Sequence, residues 1–261
     1  MNAYETLARR YDALTYDVAY EKRADFIEWL FGRSKIPVKQ VLDLACGTGT
    51  MTWIFTGRGY EMIAVDASEE MLMEAMSKMG SVEGITPLFL QQKMQKLDLY
   101  GTVDAAICCL DSLNYLTDPK DVRRTFDRLR LFIAPGGLLV FDINTVEKLE
   151  ALNGQVFLDE TEDTYCVWRT EYQRRLCTYY MDIFQRSGST WRRSAEVHRE
   201  RAYTTEELTE WLDMCFKGQL LPENPPESGN YRDWFKVTVL DYADLNPAED
   251  IIFVVNPDGR R

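Results

Sequence analysis

Short apolar runs alternate with longer amphipathic stretches up to residue 141 of the chain. Helical spacing of apolar positions is clear at residues 69–79 and 121–132. The strand-like runs are 41–44, 62–65, 85–90, 105–110 and 138–141. Strands that alternate with helices indicate a parallel sheet with helices on both of its faces. In such sheets, ligands bind beyond the carboxyl ends of the strands.

A different pattern flanks this region on each side. Helical spacing at residues 4–14 and 21–31 predicts two helices, and we expect residues 1–38 to cover the mouth of the ligand site. After about residue 153, aromatic and β-branched residues with partial alternation predict inserted antiparallel strands. These segments are 164–172, 176–186 and 189–203.

The remaining segments complete the predicted fold. Thr204 and Glu207 have the spacing of a capping box for a helix that reaches about residue 216, and two further strands are expected at 234–240 and 250–255. The expected fold is α/β: a Rossmann-like, doubly wound, mostly parallel seven-stranded sheet with helices on both faces, plus an inserted antiparallel β meander. The expected divisions are a core of 39–153 and 204–256, a cap of 154–203 and a frayed tail of 257–261.

The overall charge narrows the classes of partner. The chain has 42 acidic and 30 basic side chains, for a net charge of −12. Because nucleic-acid affinity rests mainly on Lys and Arg neutralising phosphates, DNA and RNA are poor first candidates. The arginines between residues 186 and 201 are interspersed with Glu196 and Glu200, which predicts that this stretch is the solvated side of strands.

The sequence also predicts a compartment. It has no run of about 18 apolar residues, so no membrane span is expected. Its first residues lack the pattern of a secretory signal. The six cysteines are scattered without a Cys-x-x-Cys pair, which favours reduced thiols in a cytoplasmic protein with no metal site.

The most specific local pattern follows the first predicted strand. Residues 41–44, with one acid at Asp43, lead into a turn that contains Gly47 and Gly49. Glycine allows backbone to approach a ligand closely, and amides at a helix start can face its polar groups. Asp66 ends the second predicted strand, where a carboxylate of a doubly wound sheet binds ribose hydroxyls.

This pattern has two interpretations, a dinucleotide site and an S-adenosylmethionine site. A dinucleotide site favours a third glycine at position 52, where the chain has Thr52, and it rarely has an acid at position 43. A carboxylate beside a glycine turn suits a ligand that carries both an ammonium and a carboxylate. The residues therefore favour S-adenosylmethionine over NAD.

Four segments together resemble the class I S-adenosylmethionine-dependent methyltransferases of the small-molecule type. They are residues 43–49, 66–72, 104–116 and 135–142, in the order and spacing of that family. The resemblance implies that backbone at 45–49 holds the methionine portion, that Asp43 lies near its ammonium and that Asp66 binds the ribose. The implied donor-binding residues are Tyr11, Asp43, Ala45, Cys46, Gly47, Gly49, Asp66, Ala67, Met71, Met94, Gln95, Leu110 and Asp111.

The chain departs from the family before the fourth strand. Related enzymes often have Asp-Met there, with the aspartate accepting a hydrogen bond from the adenine amino group, whereas this chain has Lys93 and Met94. A lysine cannot accept a hydrogen bond. We therefore expect the contact with the adenine amino group to differ.

The predicted acceptor side has weaker signals. Tyr11 resembles a family tyrosine that closes over the donor, with a helix-packing aromatic as the alternative. His198, the only histidine, lies in a His-x-x-Arg-x-Tyr-like stretch of similar enzymes, and either acts as a general base or bridges neighbouring strands. The predicted substrate-binding set is Asn114, Trp168, Tyr172, His198 and Arg201, although aromatics on a half-buried sheet are often core residues.

These features lead to one main hypothesis and several alternatives. The main hypothesis is methyl transfer to O or N of a small-molecule acceptor by direct displacement, carried out by a monomer or homodimer. The alternatives are a donor-binding protein without turnover, an NAD oxidoreductase, and a methyltransferase that modifies protein or RNA.

Overall fold

The computed structural model describes residues 8, 11, 12, 15 and 18–217, together with the backbone of residues 236–241 and 250–256. Its first part alternates helices and strands as the sequence predicts. The elements are α1 (Tyr20–Phe31), β1 (Gln40–Leu44), α2 (Thr50–Gly57), β2 (Glu61–Asp66), α3 (Glu69–Ser77), β3 (Leu88–Gln91), β4 (Val103–Cys108), α4 (Pro119–Phe132) and β5 (Ile133–Asn144). Two short 3₁₀ turns, Met94–Lys96 and Ser112–Tyr115, flank β4.

The second part contains the inserted strands and the end of the main sheet. It comprises α5 (Val146–Ala151), β6 (Val156–Glu160), β7 (Thr164–Gln173), β8 (Leu176–Ser187), β9 (Thr190–Arg201), α6 (Thr205–Lys217), β10 (Lys236–Asp241) and β11 (Asp250–Asn256). The capping box is confirmed, because Glu207 N donates to Thr204 Oγ1 at 3.2 Å and Thr204 N donates to Glu207 Oε2 at 3.1 Å.

The main sheet has seven strands in the order β10-β11-β5-β4-β1-β2-β3. Strands β1 to β5 pair in parallel, whereas β11 pairs antiparallel with both β5 and β10. Leu44 pairs with Val65, and Asp66 with Gln91, so the carboxyl ends of β1, β2 and β3 lie side by side. The predicted doubly wound, mostly parallel sheet is confirmed.

A separate antiparallel sheet follows in the order β6-β7-β8-β9. The predicted meander is confirmed, but it has a fourth strand, β6, in a segment where the sequence predicts none. One face of this sheet is buried against the rest of the protein through Cys166, Met181 and Ile183.

Several element boundaries differ from the prediction. Strand β3 is shorter than residues 85–90, and β5 is much longer than residues 138–141. Strand β4 ends at Cys108 rather than at residue 110, because Leu110 and Asp111 adopt left-handed conformations with φ of 56° and 49°. This turn takes both residues out of the strand.

Some predictions lie outside the described residues. Of the predicted helix at 4–14, only Ala8, Tyr11 and Asp12 are described as helical, and the tail at 257–261 is not described. Within the described part of the chain, no helix has both the length and the apolar character needed to cross a membrane. All six cysteines are unpaired thiols.

Candidate active site

The turn between β1 and α2 is tied directly to the end of β2. Cys46 N donates to Val65 O at 3.0 Å, and Gly47 N donates to Asp66 Oδ2 at 2.9 Å. Gly47 has φ of +55°, and an added Cβ there would meet no atom within 4 Å. The backbone at Gly47 therefore faces open space, which a ligand can use.

Asp66 is held in a fixed orientation by backbone amides. In addition to Gly47 N, Ser68 N donates to Asp66 Oδ1 at 2.8 Å. Burial raises the pKa of Asp66, and the bonds from the Ser68, Gly47 and Ala67 backbone oppose that rise. Backbone amides thus orient both oxygens, and each can accept a further hydrogen bond.

Asp43 lies below the turn and is only 2% exposed. Thr52 Oγ1 donates to its Oδ2 at 2.5 Å. Burial raises the pKa of Asp43 to about 7, although the Thr52 hydrogen bond lowers it. The presence of Thr52, where a dinucleotide site has glycine, therefore serves to hold this carboxylate.

These groups border a cavity of about 490 Å³ at the carboxyl ends of the parallel strands. That volume is within the range for small-molecule sites. Eleven of the thirteen predicted donor-binding residues line it: Tyr11, Asp43, Ala45, Cys46, Gly47, Asp66, Ala67, Met71, Met94, Gln95 and Leu110. Lys93 also lines it, together with Gln91 and Gln92, at the position where the family has an acid.

Gly49 and Asp111 were also predicted to bind the donor, but they do not line the cavity. Gly49 begins α2 with φ of +73°, and an added Cβ would lie 2.9 Å from Ala75 Cβ. Its glycine is therefore explained by packing against α3. Asp111 lies between two lining residues, Leu110 and Ser112, and its amide donates to Asp142 Oδ1 at 2.8 Å.

The buried ion pair between Arg23 and Asp142 supports the turn at Leu110 and Asp111. Asp142 on β5 accepts a hydrogen bond from Arg23 of α1 as well as from the Asp111 amide. The pair connects α1 to the left-handed residues after β4. Non-glycine residues in left-handed conformations are strained and persist where surrounding contacts fix them.

Tyr11 and Asp12 connect the N-terminal segment to the cavity. Asp12 accepts a hydrogen bond from Thr48 Oγ1 at 2.5 Å and pairs with Lys78 Nζ at 2.5 Å. Tyr11 lines the cavity and also packs with the buried face of the inserted sheet, next to Trp168. Burial raises the pKa of Tyr11 well above its usual value, and the nearby charges of Asp111 and Glu200 raise it further.

None of the five predicted acceptor-side residues lines the cavity. Asn114 is fully buried and donates to Asn144 O at 3.1 Å and Arg201 O at 2.9 Å, so it joins β5 to β9. Tyr172 packs with Leu149 in a different cluster from that around Trp168.

His198 is 2% exposed, and both of its ring nitrogens face protein groups. Its Nε2 lies 2.9 Å from Glu196 Oε2, and its Nδ1 lies 3.4 Å from the Tyr115 hydroxyl. Tyr115 lines the cavity, so His198 contacts the wall of the cavity rather than its interior. These two contacts join His198 to its own strand and to the turn Ser112–Tyr115, which gives it a supporting role for Tyr115, and its role as a base stays a prediction.

One prediction about this region is partly wrong. Glu196 and Glu200 were assigned to the solvated side of strands, but both are buried on the inward face of β9, whereas Arg192, Arg193 and Arg199 are exposed. The two faces alternate along the strand, so residues 196, 198 and 200 point inward together. The sequence carries no signal for this orientation, because Val197, the apolar residue among residues 196–200, lies on the exposed face.

The cavity fits the donor predicted from the sequence. A carboxylate oriented by two amides suits ribose hydroxyls, and a buried carboxylate at Asp43 suits an ammonium group. The open space at Gly47 lets a ligand lie directly against the backbone. These three features lie together at the ends of two adjacent strands.

Comparison with known proteins gives independent information on the family. A family model for methyltransferase domains matches residues 41–137. "Putative methyltransferase YqeM" of Bacillus subtilis (strain 168) is 34% identical over 217 residues, which cover 81% of this chain and 85% of that protein.

Solved structures share the whole fold. An S-adenosylmethionine-dependent methyltransferase from Clostridium acetobutylicum ATCC 824 is 29% identical with a TM-score of 0.81, and the match covers 99% of this chain and 100% of that one. The S-adenosylmethionine-bound amino pentose methyltransferase CalS10 from Micromonospora echinaspora is 20% identical with a TM-score of 0.71, over 98% and 99% of the two chains. Together with the sheet order and the cavity at the glycine turn, these matches place the chain in the class I S-adenosylmethionine-dependent methyltransferases, enzymes whose methyl donor is S-adenosylmethionine.

Proposed function

We propose that the protein transfers the methyl group of S-adenosylmethionine to O or N of a small-molecule acceptor by direct displacement. The observation that carries this proposal is the position of Tyr11, which lines the donor cavity and also packs against the inserted sheet. One side chain thus borders both the donor site and the element we assign to the acceptor. Residues 154–203 would cap the acceptor, while residues 1–38 would cover the cavity mouth.

The donor-side roles follow from the positions of the lining residues. Backbone at Ala45 to Gly47 would hold the methionine portion, with Asp43 next to its ammonium. Asp66 would bind the ribose hydroxyls. Adenine would lie near Ala67, Met71, Met94 and Gln95, where Lys93 replaces the family's acidic residue.

The chemistry requires positioning more than a catalytic constellation. The donor supplies a methyl group on a positively charged sulfur. The protein must hold the acceptor atom in line at about 3 Å and exclude water, and such positioning can supply most of the rate acceleration. Leu110 lines the cavity at the fixed turn after β4, and the aromatic side chains of Tyr11, Tyr20 and Tyr115 border the same space.

Two further observations support a small-molecule acceptor. The net charge of −12 disfavours a nucleic-acid substrate. CalS10, which has this fold, is described as an amino pentose methyltransferase, so the fold accommodates a small acceptor in that protein. We place the reaction in the cytoplasm, consistent with its six unpaired cysteines.

The test is transfer of a labelled methyl group from S-adenosylmethionine in a bacterial extract separated by size. We expect label in the metabolite fraction with the wild-type chain. Label only in protein or RNA would replace the small-molecule assignment. Binding of S-adenosylhomocysteine without transfer to any fraction would support a donor-binding protein without turnover.

A further inference from the structure

A buried carboxylate on the inserted sheet faces the end of the main sheet. Glu200 lies on the inward face of β9 and is 4% exposed. Asn144, at the end of β5, donates through Nδ2 to Glu200 Oε2 at 2.7 Å. The side chains of Tyr179 and Asp111 also hydrogen-bond to Glu200. Glu200 therefore joins the cap to two strand ends of the core.

Glu200, Asp111 and Asn144 form a cluster, and one hydrogen-bond acceptor in it receives no hydrogen bond from the described residues. Asn144 is 5% exposed, and its Oδ1 has no hydrogen-bond partner among the described residues. A buried polar atom without a partner is rare and costly, and it points to a ligand or water. This Oδ1 belongs to the same Asn144 carboxamide whose Nδ2 donates to Glu200.

The cluster is adjacent to the donor cavity. Asp111 lies between Leu110 and Ser112, which both line the cavity. Tyr11 lines it as well and is influenced by the charges of both Asp111 and Glu200. A group bound by the cluster would thus lie at the wall formed by Tyr11 and the turn after β4.

The three groups share one chemical property. The carboxyl groups of Glu200 and Asp111, which share one proton in their hydrogen bond, and the oxygen of Asn144 offer hydrogen-bond acceptors and one negative charge. An alkylammonium group has three N–H donors and a positive charge, whereas a hydroxyl has one donor and no charge. The pattern is therefore complementary to an amine rather than to an alcohol.

We propose that Glu200, Asp111 and Asn144 bind the ammonium group of an amine acceptor, and that Glu200 removes its proton before methyl transfer. This inference depends on the proposed function. The N–H electron pair stays on nitrogen when the proton passes to the Glu200 carboxylate. The nitrogen lone pair then forms the bond to the methyl carbon, and the electrons of the carbon–sulfur bond remain on sulfur.

The surroundings of Glu200 suit this proton transfer. Burial raises the pKa of Glu200 to about 7, although hydrogen bonds from Asn144 and Tyr179 lower it. A base whose pKa is near the working pH is efficient. The titratable or charged groups that face Glu200 are Tyr11, Asp111, Lys148, Cys177 and Tyr179.

The same geometry argues against His198 as the base. Its two ring nitrogens face Glu196 and the Tyr115 hydroxyl, respectively. His198 would therefore act as a positioning residue for Tyr115. Glu200 instead has the acceptor-rich neighbourhood that an ammonium group requires.

The experiment uses the full chain, ¹³C-methyl-labelled S-adenosylmethionine and a bacterial metabolite extract. The carbon chemical shift of the new methyl group shows whether N, O or S was methylated. The acceptor found is then compared across wild type, Glu200→Gln and Asp182→Asn. Asp182 is a matched control because it is a carboxylate on the opposite face of the same inserted sheet, bonded to Arg193 at 2.6 Å.

We expect an N-methyl product. Glu200→Gln should lower kcat/KM by about 100-fold or more, the usual effect of a lost general base, and should remove the loss of rate on the acid side of the pH profile. Asp182→Asn should behave as wild type. Affinity for S-adenosylhomocysteine should be unchanged in both variants, which shows that the donor site is intact.

Other results would contradict the inference or the proposed function. An O-methyl product, or N-methylation that Glu200→Gln leaves unchanged, overturns this inference but not the proposed function, whereas an S-methyl product overturns both. If the extract yields no product, thermal shifts of the S-adenosylhomocysteine complex are measured with paired amines and alcohols. Stabilisation by amines that Glu200→Gln abolishes supports the inference, and any other response overturns it. Failure of the wild type to bind S-adenosylhomocysteine would instead contradict the proposed function.

Discussion

Gly47 and Gly49 lie two residues apart in the same turn. The structure nevertheless predicts that alanine at Gly49 mainly lowers stability, whereas alanine at Gly47 mainly lowers donor affinity. Both have positive φ, so each substitution incurs about 1–2 kcal/mol of backbone strain. At Gly49 the new Cβ would also lie 2.9 Å from Ala75 Cβ, and overpacking adds about 1–3 kcal/mol. At Gly47 the new methyl group meets no protein atom and instead takes up space along the cavity.

Gly49→Ala should therefore lose about 2–5 kcal/mol of stability, whereas Gly47→Ala should lose only about 1–2 kcal/mol. At about 2–4 °C per kcal/mol for a chain of this size, the melting temperature should fall by about 4–20 °C in Gly49→Ala and by about 2–8 °C in Gly47→Ala. Affinity for S-adenosylhomocysteine should show the reverse order. Gly47→Ala should weaken it by at least about tenfold, equivalent to about 1.4 kcal/mol, and Gly49→Ala should retain it.

The assays are thermal unfolding and isothermal titration calorimetry, with Gly49→Ala studied below its melting transition. Each variant is the matched control for the other. Normal donor affinity in Gly47→Ala, or lost affinity with unchanged stability in Gly49→Ala, would refute the assignment of Gly47 to the ligand and Gly49 to packing.

Three other predictions follow from the site. Asp43 must ionise to bind an ammonium group, and its pKa is about 7 in the free protein. Calorimetry should therefore show donor affinity falling about fivefold from pH 7 to pH 6 in wild type but not in Asp43→Asn; equal pH dependence in both would contradict this. Asp66→Ala removes a charged hydrogen-bond acceptor, so its affinity for S-adenosylhomocysteine should drop about 10- to 100-fold, and an unchanged dissociation constant would rule out the ribose contact. Asn114→Ala breaks three hydrogen bonds, two of them buried and one partly buried. It should lower the unfolding free energy in urea by about 2–4 kcal/mol and leave donor affinity intact, whereas lost affinity without lost stability would show a direct role at the site.

The donor side could be predicted because its chemistry is encoded locally. A glycine turn after one strand and an acid at the end of the next are adjacent once the strands pair in parallel, as Gly47 and Asp66 are. Parallel pairing with a helical crossover fixes that neighbourhood. The sequence therefore predicted the fold, and eleven of its thirteen predicted donor-binding residues line the cavity.

The acceptor side could not be predicted in the same way because its contacts are distant in the chain. Glu200 meets Asn144 across 56 residues, and Asn114 meets Arg201 across 87. The register of β8 with β9 and the placement of the inserted sheet decide which side chains meet. Charge alone suggested that Glu200 is solvated, whereas its place in the strand alternation turns it inward.

The glycine turn shows a second limit of sequence reasoning. A Gly-x-Gly pattern does not reveal which glycine serves the ligand and which serves packing, because Ala75 is on another helix. Similarly, the apolar run at residues 105–110 predicts a strand to its end. The left-handed turn at Leu110 and Asp111, supported by Asp142, ends it earlier.

The central claim is that the ends of β1 and β2 form the site for the adenosyl donor. A crystal structure of the protein with S-adenosylhomocysteine tests this most directly. The account predicts ribose hydroxyls within hydrogen-bonding distance of the Asp66 carboxylate and the homocysteine portion along Ala45 to Gly47. A ligand bound elsewhere, or Asp66 turned away from it, would contradict the account.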